Sequence, residues 1–180
     1  THTAQYSSPK FGGVQLVANT TFSGSNDESM GVGVRWSNKN IMVYADWIDS
    51  ATNPQHTCEL TTDPDTTCSM ESAMKVGGKF SADAFEVALQ YEDAADRVGA
   101  DYIFAAGTFN IDKNNQIHLT YGMQDVDEKG GPSADTDGLA LAYNHKMSKM
   151  TNVYVGYGAK SSDVNNSDES MLSAGIRKKF

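Results

Sequence analysis

The sequence predicts an all-β fold, a transmembrane antiparallel up-and-down β-barrel. Three observations carry that prediction. Apolar residues alternate with small or polar ones along segment after segment, short turns alternate with long acidic loops, and aromatic side chains gather at the segment ends. Alternation with period two sends successive side chains to opposite faces of a strand, and no helical periodicity competes with it. No stretch approaches the roughly 20 apolar residues that a membrane-spanning helix needs.

VQLVANTTF places Val14, Leu16, Ala18, Thr20 and Phe22 on one face. MGVGVRW aligns Met30, Val32, Val34 and Trp36 against Gly31, Gly33 and Arg35, and IMVYADW aligns Ile41, Val43, Ala45 and Trp47. MKVGGKF sets Met74, Val76, Gly78 and Phe80 against Lys75, Gly77 and Lys79. FEVALQY sets Phe85, Val87, Leu89 and Tyr91 against Glu86, Ala88 and Gln90. YIFAAGTFNI is less regular, with Ile103, Ala105, Gly107, Phe109 and Ile111 in phase. IHLTYGM sets Ile117, Leu119, Tyr121 and Met123 against His118, Thr120 and Gly122. LALAY aligns Leu139, Leu141 and Tyr143, and VYVGY aligns Val153, Val155 and Tyr157. LSAGIRKKF ends the series with Leu172, Ala174, Ile176 and Phe180 in phase and Lys178 as the one misfit.

These are ten strands of about ten residues each, a length that spans the apolar band of an outer-membrane barrel when tilted by ~45°. SNKN, SADA, DKNN and KMSKM form short turns between alternate pairs, and the longer acidic loops fall between the others. Consecutive strands therefore form a meander with its turns at one end and its loops at the other. At 180 residues one domain is expected. The net charge of -9, from 14 basic and 23 acidic residues, argues against a nucleic-acid partner.

A soluble sandwich or a ligand-binding soluble barrel also alternates. Its polar face would carry dense charge, whereas the polar faces here are rich in Gly, Ala and Ser with isolated Arg, Lys or Glu. Trp36, Phe80, Phe85, Tyr143 and Phe180 lie by the short turns, and Phe22, Trp47, Tyr91 and Tyr157 by the long loops. Two aromatic girdles around an aliphatic band suit a lipid-facing exterior, because amphipathic rings favour the headgroup level. The alternatives are a self-closed ten-stranded outer-membrane barrel acting as an adhesin or protease, and a soluble ligand-binding β-barrel.

QYSSPKFGGVQL, the amphipathic strands after it and the terminal AGIRKKF together resemble the C-terminal portion of Gram-negative general diffusion porins. The resemblance implies a water-filled channel for passive diffusion of ions and small hydrophilic solutes, within a trimeric sixteen-stranded barrel of the cell outer membrane. It implies that Tyr6, Ser7, Ser8 and Pro9 lead out of a sixth strand, that the ten strands above are the seventh to sixteenth, and that a constricting third loop lies upstream. Residues 1–180 are then a single barrel domain lacking its N-terminal part. Phe180 would close the girdle and serve as the signal read by the barrel-assembly machinery, with outer-membrane lipid and lipopolysaccharide as surroundings. Lys178 and the cysteine pair depart from the family pattern.

Cys58 and Cys68, in HTCELTTDPDTTCSM, are expected to form a disulfide that staples one long loop. A metal site with His56 is the rival, with a ligand spacing that matches zinc sites poorly. Gly31 and Gly33 lie within a strand and make no phosphate loop; small residues there leave room in a lumen. DTDG at Asp135–Gly138 lacks the rest of a calcium loop. No catalytic constellation, cofactor or metal is expected, and His118 needs no role beyond that of a lumen residue. Arg35, Lys75, Lys79, Glu86, His118, Arg177 and Lys179 are expected to line the pore, where fixed charge biases which ions enter.

Overall fold

The computed structural model describes residues 2–22, 29–50, 72–94, 100–126, 135–163 and 167–179. Eleven strands form one antiparallel sheet in sequence order: β1 (His2–Ser7), β2 (Val14–Phe22), β3 (Ser29–Ser37), β4 (Ile41–Ser50), β5 (Ala73–Ser81), β6 (Phe85–Ala94), β7 (Ala100–Asn110), β8 (Asn115–Val126), β9 (Thr136–Lys146), β10 (Thr151–Ser162) and β11 (Ser167–Lys178). The ten strands expected from alternation are β2–β11, and β1 precedes them across the Ser8-Pro9 turn. Ile111, expected in phase at the end of β7, instead sits in the following turn, where its N–H donates to the Asn115 carbonyl. Among the described residues β1 pairs only with β2 and β11 only with β10, so the sheet is open.

Register carries each strand's apolar set onto that of its neighbour. One row runs Ile41, Phe80, Val87, Gly107, Leu119, Leu141, Tyr157 and Leu172 across β4–β11. A slip of one residue would turn a strand's whole apolar set to the other face. The result is one continuous apolar surface, uncovered by any second layer among the described residues: Leu89 is 65% exposed and Leu172 75%. Among the described residues the buried apolar ones are Val17, Ala73, Ala94 and Ala100, too few and too small for a core between layers. Along β6, Phe85, Val87, Leu89 and Tyr91 are exposed while Glu86, Ala88, Gln90 and Glu92 are half-buried. That is the reverse of a soluble sheet. A sheet curled around its polar face crowds the side chains inside the curl and spreads those outside it.

The short-turn end is fastened twice. Within turns, the Asn38 side-chain oxygen accepts from the backbone N–H groups of Asn40 and Ile41 at 2.8 and 2.7 Å, and the Asp112 carboxylate from those of Asn114 and Asn115 at 2.7 and 2.9 Å. These bonds, the backbone one of Asn114 first, hold the Asp112 carboxyl below its ordinary value. The stability they add is therefore present above the unfolded-state value and fades as pH falls through the lowered one. Between turns, backbone bonds join Ser37 to Gly13, Ser81 to Asn40, Asn110 to Ala84, Lys146 to Asn114 and Lys179 to Met150. Gly12 and Gly13 take positive φ of 59° and 87° between β1 and β2, and a Cβ at Gly13 would strike the Ser37 carbonyl. That turn needs glycine twice over.

Adjacent positions on β9 should respond oppositely to charge. Leu141, 48% exposed on the apolar face, should tolerate lysine poorly, because an ammonium at the bilayer midplane costs about 2–4 kcal/mol. Ala140→Lys, on the other face, should fold into lipid vesicles with nearly unchanged yield. Equal yields for Leu141→Lys and Ala140→Lys would refute the assignment of faces.

Candidate functional site

The polar face forms a wall whose charge is concentrated on β3–β6. Three cation–anion pairs cross neighbouring strands: Arg35 to Asp46 at 3.9 Å, Lys75 to Glu92 at 3.7 Å and Lys79 to Glu86 at 3.0 Å. Ser81 donates to Glu86 at 2.8 Å, so that carboxylate has two partners. Ion pairs this open contribute little stability. Their chemical consequence is a fixed pattern of positive and negative charge presented to whatever fills the curl. A cleft of about 350 Å³ lies over this stretch, lined among others by Gln5, Asn19, Arg35, Asp46, Lys75 and Glu92.

Glycines let the larger side chains lie flat. Tyr44 reaches across β5 over Gly77 and donates its hydroxyl to the Gln90 side-chain oxygen on β6 at 2.6 Å. A Cβ at Gly77 would meet the Tyr44 ring at 2.5 Å. Gly175 stands in the same relation to Tyr154, Gly33 to the Asp46 carboxylate and Gly31 to the Asn19 amide. Gly31-x-Gly33 is thus spacing for side chains, as expected from its position in a strand.

Register puts Arg35, Lys75, Lys79, Glu86, His118 and Arg177 on the polar face. Arg35, Lys75, Lys79 and Glu86 come together on β3–β6. His118 lies apart on β8, its Nδ1 3.0 Å from the Thr108 hydroxyl. Arg177 lies far from both, opposite Asn152 near the short-turn end. Lys179 follows the end of β11, its backbone N–H bonded to the Met150 carbonyl at 2.8 Å. Cys58, Cys68, His56 and Phe180 lie outside the described residues. Among the described residues no cluster of three metal-ligating side chains occurs.

The wall also contains residues that sequence reasoning passed over: Tyr44, Asp46 and Glu92 in the charged stretch, and Phe104, Tyr154 and Lys160 beyond it. Asp46 and Glu92 carried a readable signal, since each occupies the alternate phase of a strand already recognised as amphipathic. The remaining polar-face positions of β7–β10 are mostly small, among them Ala106, Thr120, Gly122, Ala140, Ala142 and Gly156. The wall therefore carries paired charges on β3–β6 and mostly small residues, with fewer charges and isolated rings, on β7–β10.

A family model described as Gram-negative porin matches residues 1–165. The chain belongs to the Gram-negative porin family. Its place as a porin is the cell outer membrane, which accounts for an apolar face on which nothing among the described residues packs. The fold is shared with an anion-selective porin from Comamonas acidovorans (TM-score 0.72, 14% identity, covering 99% of this chain and 59% of that one). It is shared with OmpF of Salmonella typhi, solved in complex with daunomycin (TM-score 0.74, 13% identity, 98% and 61% covered). OmpT, an outer membrane protein of Vibrio cholerae, gives a TM-score of 0.69 at 15% identity, with 99% and 64% covered. The porin chain thus spans about three-fifths of the length of these structures. No individually curated protein sequence matches it.

Disturbing the Gly77–Tyr44 contact gives a non-additive outcome. Gly77→Val should lower the denaturation midpoint by driving the Tyr44 ring off Gln90, at a cost of about 1–3 kcal/mol. In the Gly77→Val/Tyr44→Ala double variant most of that cost should disappear, leaving a coupling of at least ~0.5 kcal/mol in a double-mutant cycle. Additive losses would show that the ring does not rest on that glycine.

Proposed function

We propose that this chain forms the wall of a water-filled channel through which ions and small hydrophilic solutes diffuse passively. The observation that carries the reading is the reversal of faces: exposed apolar residues on one side, and half-buried charged and polar ones on the other. Such a sheet is stable with lipid outside and water inside. A soluble ligand-binding barrel needs the opposite arrangement, and the reversal counts against it.

Arg35, Lys75, Lys79, Glu86, His118, Arg177 and Lys179 line the channel in this reading, joined by Asp46, Glu92 and Lys160. The channel acts by position and charge and not by catalysis. The one hydroxyl–imidazole contact among the described residues is Thr108 with His118, and no carboxylate among them is bonded to that ring. Its neighbouring backbone groups belong to the β7–β8 ladder, leaving no donors for an oxyanion.

The edges of β1 and β11 require partners in lipid, because unpaired backbone groups there cost several kcal/mol each. We infer that further strands join these edges to complete the barrel, and that such barrels associate as trimers. That residues 1–180 span only about three-fifths of the similar structures supports this. Recognition of Phe180 by the assembly machinery and contact with lipopolysaccharide belong to the same reading. Cys58 and Cys68 close a loop outside the membrane; a bond at that spacing is worth about 2–3 kcal/mol in the chain-entropy model. Intact-mass analysis of the unreduced protein should find no alkylatable thiol, and two would refute the bond.

The channel reading is tested in a planar bilayer under a salt gradient, using the complete barrel. Stepwise conductance is expected, with Lys75→Glu moving the reversal potential toward cation selectivity and Ala140→Lys toward anion selectivity. Conductance steps with neither shift would mean that these residues do not face the ion path, and absence of steps would refute the channel.

A further inference from the structure

Phe104 breaks the pattern of the polar wall. It sits on the polar face of β7, in register with Gln90 of β6 and Gly122 of β8. It is 43% exposed there, and among the described residues it packs against no other ring. A Cβ at Gly122 would lie 3.8 Å from the Phe104 Cδ2, so one side of the ring rests beside bare backbone and the other is open. Next in the same row stands Gly138, again without a side chain. A large apolar surface left bare on a wall otherwise built to be wetted has an unfavourable hydration cost.

The surroundings specify what would cover it. A cavity of about 730 Å³ opens over the ring, with Tyr102, Gln90, Gln124, Glu92 and Lys160 around its margin. That volume lies within the range of small-molecule sites. Gln90 uses its side-chain oxygen for the Tyr44 hydroxyl, and among the described residues its amide nitrogen has no protein acceptor. Gln124, opposite Tyr102 on β7, is half-buried. Side-chain amides both donate and accept, which matches hydroxyl groups and discriminates poorly between ions. The charges offset one another: Glu92 and Asp137 line the cavity with Lys160, and Lys75 stands 3.7 Å from Glu92, so two anions meet two cations. A flat apolar platform, two planar amides and no net charge suit a neutral ring that has an apolar C–H face and hydroxyls at its edge.

We propose that Phe104 is the stacking platform of a saccharide-binding subsite on the channel wall, with Gln90, Gln124 and Glu92 bonding to the hydroxyls of a pyranose. The subsite rests on the channel reading for its use, as a place where sugars dwell during passage, but not for its existence.

The test uses maltohexaose as the probe and two readouts. Saturation-transfer NMR on the folded barrel in detergent reads binding whether or not the protein conducts. Transient current blockades in a planar bilayer read binding inside an open channel. The native protein should show both; Phe104→Ala should weaken binding roughly tenfold with its sugar-free conductance retained, and Phe104→Trp should preserve it. Equal binding by the native protein and Phe104→Ala, or no saturation transfer to the native protein, would overturn the subsite. Transfer that depends on Phe104 without any conductance would instead overturn the channel and leave the subsite standing.

Discussion

Everything in this protein depends on the backbone ladder. In a lipid setting a strand's N–H and C=O groups have no water to bond, so each strand must be paired along its length. The meander meets that demand with short connections at one end, and bonds between successive turns continue the ladder past the strand ends there. Register follows from the same constraint. Once pairing is unbroken, each strand can offer lipid an apolar set only if it stays in phase with its neighbours. The row from Ile41 to Leu172 keeps that phase across eight strands.

With the exterior settled by lipid, the interior face is free to vary, and its chemistry is uneven. On β3–β6 oppositely charged side chains are set in pairs, and glycines opposite them give Asp46 and Tyr44 room to lie along the wall. On β7–β10 small residues leave the wall open, interrupted by Phe104 and Tyr154. In the proposed channel, charge on one flank and mostly small residues with isolated rings on the other would give a passing solute two different surfaces. Ions would feel the first through Coulomb forces, which weaken beyond ~8 Å at physiological salt. Neutral solutes would feel the second only by contact.

The exterior was readable in the sequence because it obeys one rule at every second residue, so each strand from β2 to β11 announces itself. The interior obeys no such rule. Arg35, Lys75, Lys79 and Glu86 were legible as charges in the polar phase, but their pairing with Asp46 and Glu92 depends on register, which no single strand contains. Tyr44 illustrates the difficulty: its role comes from Gly77 on one strand and Gln90 on the next. In YIFAAGTFNI, apolar residues occupy both phases at Tyr102, Ile103 and Phe104, which hides the inward ring among outward ones. The open edges of β1 and β11 are likewise a property of the sheet, invisible in either strand alone.

The central claim is that lipid and water lie on opposite sides of one alternating sheet. It is tested most directly by spin labels placed singly at positions 86–91 of β6, in a background with Cys58 and Cys68 replaced, in the complete barrel reconstituted into vesicles. Labels at Val87, Leu89 and Tyr91 should collide mainly with oxygen, and labels at Glu86, Ala88 and Gln90 mainly with a water-soluble nickel chelate. A strict period of two in that phase is the predicted result. The opposite phase, or collision rates that do not alternate, would contradict it.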